Sequence, residues 1–137
     1  MKTPVGLVPV DKVPGVWRRI EPILARAVKP VTGQSTDSVL LEVLKGRFQL
    51  WVVGDLRGVV ITQVQSRPTQ RVVWIQFLAG DAMSEWLSDW IEVLEKYAVS
   101  LQCTAIEFNG RKGWHKISAD YPEYKPIMTL FRKDLEG

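Results

Sequence analysis

The chain has 137 residues, 46% of them hydrophobic and 24% charged, and its 18 Lys and Arg against 15 Asp and Glu give a net charge of +3. This is one domain's length, enough to bury roughly two-thirds of the surface the unfolded chain exposes, and the basic excess permits an anionic partner without requiring one. A single cysteine, Cys103, and a single histidine, His115, exclude a disulfide framework and any metal centre needing several such ligands from one chain. No apolar run approaches the roughly 18 residues of a membrane helix, and no signal-peptide pattern opens the chain, so the expectation is a soluble domain not exported by a signal peptide.

Residues 1–16 hold Pro4, Pro9, Pro14, Gly6 and Gly15 among valines, a density that predicts an extended arm with a short edge strand, followed by one domain over 17–137. From Trp17 the apolar residues Ile20, Leu24, Ala27 and Val28 recur at helical spacing, with Pro22 forcing a late start or a kink. Ser35 or Thr36 caps a second helix through Val39, Leu40, Val43 and Leu44, which Gly46 stops. The period then becomes two. Phe48–Val53, Val59–Gln65 and Arg71–Leu78 alternate between short turns and predict a three-stranded antiparallel meander. A long helix follows with Met83, Trp86, Leu87, Trp90, Ile91, Leu94, Tyr97 and Ala98 on its apolar face. Thr104–Phe108 then reads as an interior strand, parallel to the third through a right-handed crossover. A short helix through Trp114, His115 and Ile117 and a strand over Ile127–Arg132 complete the chain. The fold class expected is α/β (α+β), a mixed sheet with helices on both faces.

Three stretches carry a family likeness: Gly46-Arg47-Phe48-Gln49-Leu50-Trp51-Val52-Val53, the run from Ala98 to Phe108, and Gly110-Arg111-Lys112-Gly113-Trp114-His115-Lys116-Ile117. With the element order, they make the chain resemble small GNAT-like proteins (the N-acetyltransferase fold) of phages and prophages, among them internal virion proteins and acetyltransferases. The likeness implies the GNAT fold over nearly the whole chain, and a place in a virion or the host cytoplasm.

In that family, backbone amides at the start of the long helix hold the pyrophosphate of acetyl-CoA, because free amides and the helix dipole favour an anion. The equivalent residues here are Gly80, Asp81, Ala82 and Met83. Gly80 and Ala82 fit the small positions of the family pattern. Gln76, however, lies one residue upstream of its place, no Arg or Lys occurs between Arg71 and Lys96, and Asp81 is expected to cap the amides and repel a phosphate. Transfer to an amine needs a base for the ammonium and an acid for the thiolate. By position these are Glu107 and Tyr124 (or Tyr121), although a lone Glu in a strand is more often salt-bridged and a Tyr beside proline more often packs a loop. Cys103 reads as a small buried hydrophobe, and His115 as a helix-end residue satisfying a carbonyl.

The leading expectation is therefore non-catalytic, a virion-associated or assembly-related interaction protein without a cofactor, whose partners are other virion or assembly proteins. The alternative is an acetyl-CoA-dependent N-acetyltransferase. Nucleic-acid binding through Arg111, Lys112 and Lys116 around Trp114 is a third reading.

Overall fold

A computed structural model describes residues 3–110 and 119–135. The expected short helix through Trp114, His115 and Ile117 and the basic residues Arg111, Lys112 and Lys116 lie outside the described residues. The proline-rich start contributes strand β1 (Val5–Leu7), then a 3-10 turn over Val10–Lys12. Helix α1 (Val13–Leu24) begins four residues before Trp17, with Pro14 in its first turn, where a missing N–H leaves no bond unmade. Residues 13–16 are thus helix, not arm. Pro22 is accommodated because the helix ends two residues later.

Helix α2 (Thr36–Leu44) starts on a capping box: the Ser35 hydroxyl accepts from the Ser38 amide at 3.0 Å, and the Ser38 hydroxyl accepts from the Ser35 amide at 2.8 Å. Strands β2 (Gln49–Val53), β3 (Gly58–Ser66) and β4 (Arg71–Gly80) form the antiparallel meander, and helix α3 (Met83–Ser100) leads to β5 (Ala105–Phe108), parallel to β4. β1 pairs antiparallel with β2, completing one five-stranded sheet in the order β1-β2-β3-β4-β5. The expected strand at Ile127–Arg132 does not form: the segment has no regular secondary structure and its apolar side chains are exposed. Alternation marks a segment able to be a strand, but a ladder also needs a neighbouring edge.

Period-two alternation divides the sheet's side chains between two cores. Leu50, Val59, Ile61 and Phe77 pack beneath α1 and α2 with Val13, Ile20, Leu24, Val39 and Val43. Trp51, Val53, Val60, Val73 and Ile75 pack beneath α3 with Trp86, Trp90 and Leu94. Trp51, on the opposite face from Leu50, is therefore covered; its ring meets Tyr97 edge-on at 5.0 Å, and its Nε1 donates to the Thr62 hydroxyl at 2.9 Å. No helix of the described residues is long and apolar enough to cross a membrane.

The start of α3 is seated by two glycines. A Cβ on Gly58 would stand 2.6 Å from the Trp86 ring, and one on Gly80, at φ +148°, 2.2 Å from the Arg57 carbonyl oxygen. Trp86 itself donates from Nε1 to the Asp81 carbonyl at 2.9 Å. Gly58→Ala should cost about 1–3 kcal/mol through overpacking against a fully buried indole. Chemical denaturation should show it as a lower midpoint at unchanged slope; an unchanged midpoint would mean the seat is looser than this.

Candidate functional site

Strand β4 carries the local irregularity on which the site is built. Ile61 faces Phe77 but Thr62 faces Ile75, so Gln76 is an extra residue, a β-bulge. On its other side β4 pairs with β5 only from Val72 to Ile75. Beyond that point the edge of β4 over residues 76–80 has no neighbouring strand among the described residues. A groove of about 240 Å³ lies along its end, lined by Arg26, Ala27, Leu78, Ala79, Gly80 and Met83. Small side chains at 27, 79 and 80 keep it open, and it ends at the first residue of α3.

The structure corrects the expectation for Asp81. The N-cap of α3 is Ala82, in the left-handed region at φ 51°, and no side chain caps the helix. The Asp81 carboxylate instead turns outward and accepts from Arg26 Nη1 at 2.9 Å. Both partners are exposed, so the pair is worth at most about 1 kcal/mol and opens easily. Sequence reasoning missed Arg26 because nothing in the turn after α1 marks it: the fold brings it to the end of β4 across 55 positions. Arg57 arrives likewise from the β2–β3 turn and pairs with Glu85 in the first turn of α3. Two cations thus stand where the sequence between Arg71 and Lys96 offers none.

A second cleft, of about 360 Å³, opens on the α2 side of the bulge and is lined by Gln34, Ser38, Leu41, Glu42, Lys45, Phe48, Gln63 and Gln76. Gln76 Nε2 donates to Gln63 Oε1 at 2.8 Å, and Gln65 Nε2 donates to the same oxygen at 3.1 Å. Gln65 Oε1 accepts from Arg67 at 2.8 Å, and Arg67 grips both oxygens of Glu107 at 3.0 and 2.8 Å. Glu107 is therefore a half-buried, bidentate ion-pair partner, and its hydrogen bond is the main cause that raises the Arg67 pKa. A polar chain runs from the bulge to β5.

Tyr124 lies on the opposite side of β5 from Glu107. Its ring tilts against Phe108 at 5.9 Å and its hydroxyl donates to Glu95 of α3 at 3.4 Å. Burial, with Glu95 alongside, pushes its pKa far above the usual phenol value. Tyr121 packs against the α3-side core and is also raised, chiefly by burial. The structure thus brings Gly80 and Met83 to one groove with Arg26, which pairs outward with Asp81, and sets Glu107 and Tyr124 on opposite faces. Cys103 is half-buried against the α3-side core. Among the described residues no three His, Cys, Asp or Glu come together to hold a metal.

The raised tyrosines fix the alkaline behaviour. The unfolded chain releases phenolic protons near pH 10, while the native state, including Tyr97, keeps them to higher pH. Their contribution is therefore complete below about pH 10 and is lost as pH rises beyond it. Denaturant titrations across that range should show stability falling with pH, and Tyr124→Phe should make the fall shallower; an identical slope in the variant would contradict this assignment.

No family model matches the chain, and no curated protein matches its sequence. Solved structures do. An aminoglycoside acetyltransferase from an uncultured soil metagenomic sample, in complex with sisomicin, matches at TM-score 0.67 and 12% identity over 98% of this chain and 97% of its own. A GCN5-related N-acetyltransferase from Ralstonia eutropha JMP134 matches at 0.66 and 11% over 96% and 98%. A ribosomal-protein-alanine N-acetyltransferase from Brucella melitensis biovar Abortus 2308 matches at 0.64 and 14% over 98% and 99%. At such identities the likeness establishes the architecture, and the chain has the mixed α/β fold of the GNAT N-acetyltransferases.

Proposed function

We propose that the chain binds an acyl-CoA along the unpaired end of β4 and transfers its acyl group to an amine. The observation that carries this reading is the groove at residues 78–83, bordered by small side chains and ending at an α3 start that no side chain caps. Free amides at a helix start favour a phosphate, and Arg26, released from its exposed pair with Asp81, supplies a cation beside them. The names of the matching structures, acetyltransferases of antibiotic and protein amines among them, support the reaction class.

An acyl-CoA bound there would bring an activated thioester carbonyl. The chain's own residues have the remaining tasks. The cleft beyond the bulge offers Glu42, paired with Arg47 at 3.5 Å, to receive an ammonium and take up the proton it loses before attack, and the Gln63–Gln76 pair to orient its neighbouring atoms. Tyr124, kept protonated by burial and bound to Glu95 on the α3 side of β5, stands away from that cleft, so in this reading the leaving thiolate takes its proton from solvent. Glu107, held at both oxygens by Arg67, positions the glutamine chain instead of accepting a proton.

A second reading rests on that same engagement of Glu107: a GNAT-fold interaction protein without turnover, such as a virion or assembly component. Calorimetric titration with acetyl-CoA separates the two. Micromolar binding is expected, about tenfold weaker in Arg26→Ala, the loss expected for one charge-assisted hydrogen bond, and tighter in Asp81→Asn, which frees Arg26. Silence from the wild type and from Asp81→Asn alike would overturn the acyltransferase reading and leave the interaction protein.

A further inference from the structure

The glutamines of the cleft on the α2 side have a fixed polarity, and it is set from β5. A carboxamide taken alone can face either way, but an arginine only donates and an ionised carboxylate only accepts. Arg67 gives N–H groups to both oxygens of Glu107 and, at 2.8 Å, to Gln65 Oε1. Gln65 therefore turns its Nε2 to Gln63, whose Oε1 accepts it at 3.1 Å. That oxygen also accepts from Gln76 Nε2 at 2.8 Å, so both of its lone pairs are used. What is left follows by subtraction. The Gln63 Nε2 donor and the Gln76 Oε1 acceptor have no partner among the described residues, and both side chains line the cleft.

The end of α2 supplies the same two kinds of group in charged form. Glu42 and Lys45 stand three residues apart, which makes them neighbours on a helix, and both line the cleft. Gly46, at φ +77°, then turns the chain back so that the Phe48 amide reaches the Glu42 carbonyl at 3.1 Å, and buried Phe48 joins the same cleft. Glu42 is half-buried and meets Arg47 at 3.5 Å, while Lys45 is exposed and makes no ion pair among the described residues. The cleft thus offers two acceptors, Glu42 and Gln76 Oε1, and two donors, Lys45 and Gln63 Nε2, one of each kind charged. At about 360 Å³ it is at the small end of ligand sites, which run from roughly 300 to 1,000 Å³.

We propose that, given the acyl transfer inferred above, the amine that receives the group is a free α-amino acid, its ammonium on Glu42 and Gln76 Oε1 and its carboxylate on Lys45 and the Gln63 amide. One cation beside a neutral donor matches the single charge of a carboxylate better than the nearly double charge of a phosphate ester. A polyamine, an amino sugar or a protein lysine brings no anion for Lys45. In the transfer, the ammonium gives one proton to Glu42 and a second as its nitrogen bonds to the thioester carbon. The C–S bond breaks, sulfur takes one proton from solvent, and an N-acyl amino acid and a free thiol result. The acylated nitrogen carries no charge, so Glu42 loses its ionic partner and the product leaves.

The test is amide NMR of the full chain, with and without saturating coenzyme A. The probes are the common L-amino acids, their carboxamides, and spermidine, glucosamine and O-phosphoethanolamine. At least one free amino acid is expected to shift residues 38–48 and 63 saturably, and to bind about fivefold more tightly than its carboxamide, the preference expected of one exposed ion pair. Lys45→Glu should reverse that preference and Lys45→Arg should keep it; the position is exposed, and circular dichroism checks that both variants fold. Equal affinity for acid and carboxamide, tighter binding of any of the three other amines, or no shift in the cleft with any amino acid overturns the proposal. Thiol release from acetyl-CoA reads the transfer separately. Cleft binding of an amino acid without thiol release overturns the acyltransferase reading and leaves an amino-acid site, whereas thiol release with the other amines alone keeps that reading and overturns the amino acid as acceptor.

Discussion

The indole of Trp86 lies flat against a position that only glycine can occupy, and much of the molecule follows from that contact. Gly58 opens β3 and Gly80 closes β4; they are register partners, and a side chain on either would meet Trp86 or the Arg57 carbonyl well inside van der Waals distance. Their approach lets α3 begin three residues after β4 ends, and the Trp86 hydrogen bond to the Asp81 carbonyl fixes the turn. Because α3 is anchored there, it starts beside the end of β4. The buried Trp86, Trp90 and Leu94 then tie the helix to the sheet, each contributing on the order of 1.5–3 kcal/mol.

The second constraint is the bulge at Gln76. One extra residue shifts Phe77 onto the α1–α2 side, and β5 stops pairing beside it. Along one strand the molecule thus obtains a half paired on both sides, which holds the sheet, and a half paired with β3 alone among the described residues, which lines a groove. The polar chain Gln76–Gln63–Gln65–Arg67–Glu107 crosses from the bulge to β5. That chain explains why Glu107, a natural candidate for a base, is engaged in a structural ion pair.

Local patterns were readable because local physics made them. The capping box at Ser35, the glycine stop at Gly46, the alternation in β2–β4 and the apolar stripe of α3 each depend on a few neighbouring residues. So does the parallel placement of β5 after a long helix. What sequence reasoning missed depends on contacts between distant residues. Pro14 looked like part of an arm although it is also a good first-turn residue, and Asp81 looked like a cap although Arg26 draws it outward. Arg26 and Arg57 reach the α3 start only after the sheet has formed. Ile127–Arg132 alternates like a strand but is not one, because a strand also needs a neighbouring edge that its own sequence does not specify.

The central claim is that the end of β4 and the start of α3 form a nucleotide-thioester groove with Arg26 on its rim. Amide NMR of the full chain titrated with coenzyme A, which lacks the acyl group and so cannot turn over, tests it most directly. The account predicts saturable shifts concentrated at residues 76–84 and at Arg26 and Ala27, with little change along β1 or β2. Shifts absent throughout, or confined to residues away from β4 and α3, would contradict it.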